Sequence, residues 1–147
     1  MAVKDPAAAA TSSPATAPHR SRPLAGALAL FVGATGAHRL YLGARYWWIY
    51  PLFALPALGI ALSSPQWFRS PAFFVTAIVM LVTMLEAIIF GLTPDEKWDA
   101  RYNPASGQRS ANRWPPVLIA IAALALGATL MMTVLAIALE AYFDTLR

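Results

Sequence analysis

Long apolar stretches, each bounded by polar or charged positions, dominate the pattern of this chain. Residues 114–139 and 46–68 carry no charge, and residues 70–94 carry only Glu86. A transmembrane helix needs roughly 20 mainly apolar residues to cross a hydrocarbon layer about 30 Å thick. A soluble domain of this length has no room to bury several such helices. The pattern therefore predicts a polytopic helical membrane protein.

Local sequence signals mark where the helices begin. Pro23 and the pair Pro115-Pro116 suit the first turn of a helix. Asp95 and Glu96, which follow Pro94, suit the first turn of a short surface helix because acids favour that end of the helix dipole. The fold class predicted is an all-α membrane protein, a small bundle of about four transmembrane helices with a short interfacial helix. In chain order we expect a disordered Ala/Pro-rich tail at 1–22, spans at about 23–43, 46–63 and 71–92, a surface helix at 94–102, a loop at 105–114 and a C-terminal span at 115–143.

The first of these spans is short. Its uncharged part, residues 23–37, covers only about 22 Å at 1.5 Å per residue. One alternative is that the helix continues through His38 and Arg39 toward Gly43. The other is that His38 and Arg39 lie at the membrane–water interface and the bilayer thins locally.

Small residues recur along the same stretch. Ala25, Ala29 and Gly33 follow one another at every fourth position and form a smooth face suited to close helix contact. With Gly36 and Gly43 they are the candidate helix-packing residues. An Ala-rich composition explains the same pattern without any packing role.

The number of crossings determines which segments share a side of the membrane. Four crossings place the tail and the C-terminal end on one side, and the turn at 38–45 and the loop at 93–114 on the other. Lys and Arg then divide almost evenly between the two sides. The positive-inside rule consequently predicts no orientation from the sequence.

Composition narrows the functional classes. The chain is 59% hydrophobic and 12% charged, whereas a soluble domain carries about a quarter charged residues. The absence of cysteine excludes disulfides, thiolate metal sites and a cysteine nucleophile. The net charge of +4 comes from basic residues that flank apolar runs, where they meet lipid phosphates rather than nucleic acid. With only His19 and His38 as histidines, we expect neither a metal nor another cofactor.

Glu86 is the sharpest single feature, because a carboxylate inside a transmembrane segment is costly and points to a function or a partner. The candidate partners are His38 and Arg39, which would join the first and third spans. The alternatives are a protonated acid, a carboxylate that reaches the interface, or a proton or ion relay. A relay needs a chain of polar groups, and the same span offers only Thr76 and Thr83.

Two further stripes have open interpretations. On the surface helix, a spacing of three or four positions separates Trp98 from Arg101 and Tyr102. These residues form either a stripe that faces lipid or a partner, or an ordinary interfacial anchor. Ala120 and Gly127, with Ala123 between them, give the last span a small-residue face that serves either self-association or packing inside the monomer.

Two segments resemble a known family. Residues 33–43 read Gly-Ala-Thr-Gly-Ala-His-Arg-Leu-Tyr-Leu-Gly, which resembles the hallmark of the TM2-domain family, with Leu40 where Phe is common. Residues 86–103 are similar to the ending of bacterial members. The resemblance implies a small integral protein of the bacterial cytoplasmic (inner) membrane, with a poorly defined activity. Both segments fall on one predicted side, which suggests a joint polar cluster of His38, Arg39, Tyr41, Glu86, Asp95 and Arg101.

The function expected is that of a non-enzymatic scaffold or accessory subunit, which acts through helix–helix and interfacial polar contacts. Membrane lipid and a membrane-protein partner or second copy are the expected partners. The alternative is a small transporter or channel subunit with Glu86 as its coupling group. An enzyme is disfavoured because no GxSxG, HExxH or P-loop pattern occurs, and no catalytic residue is assigned.

Overall fold

The structure, a computed structural model, describes residues 17–111 and 114–147. That part of the chain is all-helical and contains no strand. Most of the expected tail and part of the expected loop at 105–114 lie outside the described residues. The six helices are α1 (Arg22–Val32), α2 (Ala37–Tyr41), α3 (Ile49–Leu62), α4 (Pro71–Leu92), α5 (Asp95–Tyr102) and α6 (Pro115–Thr145).

Two of these helices, α4 and α6, have 22 and 31 residues and are long and apolar enough to cross a membrane. Ser70 caps α4 by accepting a hydrogen bond from the amide of Ala72, and Pro71 occupies its first turn. The expected span at 71–92 matches α4, and the one at 115–143 matches α6 to within two residues. The remaining apolar helices, Arg22–Thr35 and Ile49–Leu62, are shorter.

The first expected span is a helical hairpin and not one helix. After α1 the chain passes through a 3₁₀ turn, Gly33–Thr35, and then reverses at Gly36, whose φ of +71° lies in the left-handed region. A Cβ at Gly36 would also lie 2.4 Å from the carbonyl oxygen of Trp47. The alternative in which one helix continues from 23 toward 43 is therefore wrong, because Gly36 ends the right-handed path and α2 runs back beside α1.

Both ends of this hairpin lie at the same end of the bundle. The amide of Ser21 donates to the hydroxyl of Tyr41 (2.7 Å), and the Arg20 guanidinium donates to the carbonyl of Leu42 (2.7 Å). The amide of Arg20 also donates to the side chain of Asn103 (2.7 Å), just after α5. We call this end, formed by residues 19–22, 41–43 and 93–110, the Trp98 end.

The opposite end of the bundle is formed by residues 63–70 and 140–147, and we call it the Arg69 end. Here the Arg69 guanidinium pairs with Glu140 (2.6 Å) and Asp144 (2.9 Å), which ties the start of α4 to the last turns of α6. The predicted arrangement, with residues 17–22 at the same end as the C-terminal residues, is wrong. The reversal at Gly36 returns the chain to the Trp98 end, so the first apolar stretch does not traverse the bundle.

The small-residue face of α6 packs inside the monomer. A Cβ added to Gly91 of α4 would lie 2.7 Å from the Cβ of Ala120, and one added to Gly127 would lie 3.5 Å from the Cβ of Met84. Ala123 is fully buried between them. Of the two sequence interpretations, packing against α4 is the one that occurs, so this face is not free for self-association.

The turn after α1 contacts α4 equally closely, and this contact yields a testable pair of variants. A Cβ at Gly33 would lie 2.4 Å from the Cβ and Oγ1 of Thr83, whereas a Cβ at Gly59 on α3 meets nothing within 4 Å. We expect Gly33→Ala to lower the free energy of unfolding by about 1–3 kcal/mol through overpacking. Gly59→Ala, the matched control, should be neutral or stabilising by up to about 1 kcal/mol because alanine favours the helix.

The measurement for this pair is denaturant unfolding of both variants in the same detergent micelles. A Gly33→Ala protein as stable as the Gly59→Ala protein would show that α1 does not press against Thr83 as the structure has it.

Helix α5 covers the Trp98 end. The Trp98 ring is completely buried, lies 5.8 Å from the ring of Phe90, and donates its indole N–H to the carbonyl of Arg20 (2.9 Å). The predicted stripe of Trp98, Arg101 and Tyr102 facing lipid or a partner is therefore wrong for Trp98. The helix turns this ring inward because both the apolar ring and the N–H find partners in the bundle.

The loop after α5 is fastened to it through Asp99. Its carboxylate accepts hydrogen bonds from the amide of Ser110 (2.6 Å), the hydroxyl of Ser110 (2.6 Å) and the side-chain amide of Asn103 (2.9 Å). Desolvation works to raise the pKa of Asp99, but these hydrogen bonds outweigh it and hold the pKa below its ordinary value. The Asp99 carboxylate is thus ionised at neutral pH and keeps the loop against α5.

Candidate functional site

The polar cluster in the bundle interior is assembled by three helices. His38 and Arg39 come from α2, Tyr50 from the first turn of α3, and Glu86 from α4. The reversal at Gly36 is what brings α2 to this position. It carries His38 and Arg39 back alongside α4, level with Glu86 and not beyond the end of that helix.

The Glu86 carboxylate accepts from all three partners. One oxygen, Oε2, lies 2.5 Å from Nε2 of His38. The other, Oε1, accepts from the hydroxyl of Tyr50 at 2.7 Å and pairs with the guanidinium of Arg39. His38 also meets Tyr50 edge to face, with ring centroids 5.1 Å apart. We call these four residues the Glu86 cluster.

Burial decides what the Glu86 cluster can do. His38 is completely buried and Glu86 is 8% exposed, whereas 41% of the Arg39 side chain is exposed. A buried carboxylate is tolerated when it is paired and its lone pairs are filled by donors. Glu86 is paired and accepts from three donors, so the cluster joins α2 and α3 to α4.

The other residues of the predicted polar cluster have other bonding partners. The Tyr41 hydroxyl accepts from Ser21, and Asp95 pairs with Arg22 at 2.8 Å. Arg101 lies over the ring of Tyr102, with its guanidinium carbon 5.4 Å from the centroid. The predicted cluster is therefore wrong for Tyr41 and Asp95, whereas Arg101 lines one cavity with Arg39 and Glu86. The cluster divides because Tyr41 lies one turn beyond His38, and because the first turn of α5 packs on the start of α1.

Tyr50 is the member of the Glu86 cluster that sequence reasoning missed. It follows Tyr46, Trp47 and Trp48, and aromatic residues grouped in this way are typical of the membrane–water boundary. A signal was present, since Tyr50 shares a helical spacing of four, three and four positions with Ala54, Ala57 and Ala61, which are buried. This spacing places the Tyr50 hydroxyl on the face of α3 that packs against α4.

The predicted helix-packing residues separate into two kinds. Ala25, Ala29 and Gly33 are buried on one side of the hairpin. Gly36 and Gly43 instead occupy turns with φ of +71° and +72°. These two glycines allow the backbone to reverse, a task that alanine performs poorly.

Comparison of this chain with models of known protein families, with curated proteins and with solved structures found no match.

Proposed function

We propose that this chain is a small polytopic integral membrane protein that serves as a non-enzymatic scaffold or accessory subunit. The observation that carries the proposal is the outer surface of α6. Its apolar side chains are largely uncovered over most of the helix, which packs against α4 along its length and against α1 near Ile119. Contiguous apolar surface of this extent is covered by lipid or by another protein. The exposed residues include Leu118, Ile121, Leu124, Leu126, Met131, Met132, Leu135 and Leu139.

In the proposed membrane arrangement the chain crosses three times. The first apolar stretch, α1–α2, enters from the Trp98 end and returns to it, with its turn near Thr83, about 14 Å from the Leu92 end of α4. Residues 44–62, α4 and α6 then cross in alternating directions. Backbone reversal at membrane depth is acceptable where it is buried in protein, as Gly33 and Gly36 are.

This proposed arrangement favours one orientation, which the sequence alone did not. Arg69 and Arg147 belong to the Arg69 end. Of the described residues, more basic ones belong to the Trp98 end: Arg20, Arg22, Lys97, Arg101 and Arg109. By the positive-inside rule, the Trp98 end faces the cytoplasm. A bacterial cytoplasmic membrane remains the proposed location.

Membership of the TM2-domain family remains a proposal, supported only by the residues of the two resembling segments. In the fold those segments adjoin, since His38 and Arg39 of the first meet Glu86 of the second. A common structural role of the two segments would explain their pairing.

The scaffold proposal predicts a difference between two faces of α6. A photo-crosslinking residue at Leu124, which is 61% exposed, should capture a discrete partner or a second copy in native membranes. The same residue at Ala123, which is fully buried against α4, is the matched control and should give no intermolecular product.

The products are identified by immunoblotting and mass spectrometry. If Leu124 gives lipid adducts alone, and purification in mild detergent returns a monomer without a partner, the scaffold proposal is wrong.

A further inference from the structure

Two cavities on the lipid-facing side of the bundle share one side chain, that of Arg39. The polar cavity, about 370 Å³, lies between α4 and α5 and is lined by Glu86, Thr93, Lys97 and Arg101. The apolar groove, about 330 Å³, lies between α3 and α4 and continues toward the Arg69 end. It is lined mainly by Tyr46, Ile49, Phe53, Ile78, Val79 and Val82.

The polar cavity carries an excess of positive charge. Its cations are Arg39, Lys97 and Arg101, and its one carboxylate, Glu86, is already occupied by the donors of the Glu86 cluster. Within residues 17–111 and 114–147, neither Lys97 nor Arg101 forms an ion pair. The cavity is thus suited to an anion that brings oxygen acceptors from outside the protein.

The polar cavity and the apolar groove lie along one face of α4. Ile78, Val82, Ile89 and Thr93 are spaced four, seven and four positions apart, which puts them on one side of the helix. From Ile78 to Thr93 the helix rises about 22 Å, which is about half of a bilayer about 40–45 Å thick with its headgroup regions. This length and the change from charged to apolar match one leaflet, from headgroup to chain ends.

We propose that this surface binds an anionic phospholipid, and the inference rests on the membrane placement proposed above. Lys97 and Arg101 hold the headgroup phosphate, Arg39 lies at the junction beside the glycerol, and one acyl chain lies along Ile49, Phe53 and Val82. Basic pockets between transmembrane helices on the cytoplasmic side bind acidic headgroups in this way. A free phosphate ion would use the cations but would leave the adjoining groove unexplained.

The test compares lipid retention on the full-length protein by native mass spectrometry. The probes are phosphatidylglycerol and phosphatidylcholine with identical acyl chains. We expect phosphatidylglycerol to be retained preferentially, and Lys97→Gln with Arg101→Gln to weaken its retention about 10- to 30-fold. The control is Arg109→Gln with Arg147→Gln, which removes the same charge from residues that line neither cavity and should change little.

A second variant and a soluble probe separate lipid from free anion. Val82→Trp fills the groove and should reduce phosphatidylglycerol retention while leaving the cations in place. Equal retention of both lipids, or no loss in either variant, would overturn the proposal. Stabilisation of the fold by millimolar inorganic phosphate would also overturn the proposal if Lys97→Gln abolished it and Val82→Trp left it unchanged.

Failure of the lipid proposal differs from failure of the membrane placement. The same proteins are extracted from membranes with alkaline carbonate before purification. A chain that stays in the pellet but shows no lipid preference contradicts only the lipid site, whereas a chain released into the supernatant contradicts the membrane placement itself.

Discussion

Cysteines placed at positions 18 and 108 will react with a membrane-impermeant maleimide from one side of the membrane, and those at 66 and 147 from the other. The chain has no cysteine, so Pro18→Cys, Gln108→Cys, Gln66→Cys and Arg147→Cys each give a single labelling site. All four positions are exposed. In intact cells we expect labelling at 66 and 147, and in inverted vesicles labelling at 18 and 108.

Position 18 distinguishes the two topologies because it changes side between them. Three crossings with an entering hairpin put it with position 108, since Arg20 contacts both Leu42 and Asn103. Four crossings put it with positions 66 and 147. Labelling of Pro18→Cys in intact cells together with Gln66→Cys would contradict the hairpin, and detergent-solubilised samples control for the reactivity of each cysteine.

Glu86→Ala should be the most destabilising single substitution in the bundle interior. It leaves His38, Arg39 and Tyr50 without their shared acceptor, and breaking a buried ion pair by removing one partner costs about 3–5 kcal/mol. Glu96→Gln, at an exposed acid of α5, is the matched control and should change the free energy of unfolding by less than about 0.5 kcal/mol. The measurement is reversible unfolding in mixed micelles.

A double substitution tests the physical reason for this loss. Glu86→Leu combined with His38→Phe replaces both buried polar partners by apolar groups, which is often nearly neutral. The Arg39 side chain is 41% exposed and can turn toward the polar cavity that it already lines. We expect the double variant to recover a substantial part of the stability that Glu86→Ala loses. A Glu86→Ala protein within about 0.5 kcal/mol of the native chain would show that the cluster does not hold the helices together.

Function can be tested with the isosteric variant Glu86→Gln. If the protein is a scaffold, we expect the substitution to alter the stability of the protein and to have no effect on flux in proteoliposomes. If the native chain carries a flux that a folded Glu86→Gln protein lacks, the scaffold proposal is wrong and the transporter or channel alternative takes its place. Crosslinking from Leu124 on the same samples reports whether the partner surface of α6 persists.

Hydropathy and charge along the chain were sufficient to predict the two long helices and the contact of one buried carboxylate. The expected spans at 71–92 and 115–143 coincide with α4 and α6 because a continuous apolar run with proline at its start permits little besides a helix. The contact of His38 and Arg39 with Glu86 was also expected, since an apolar interior makes a lone carboxylate expensive and few cations lie within reach.

The direction of the chain before α3 could not be predicted from hydropathy, because it depends on the backbone conformation at one glycine. A stretch such as 23–43 has the same composition whether it continues or reverses, and the reversal depends on the left-handed conformation of Gly36 beside Trp47. The burial of Trp98 and the presence of Tyr50 beside Glu86 follow from that reversal. Sequence alone therefore determined which segments are apolar helices and which charge needs a partner. Only the tertiary structure decided the direction in which the first apolar stretch leaves its turn, because helices of equal length and apolarity can pass one another in either direction.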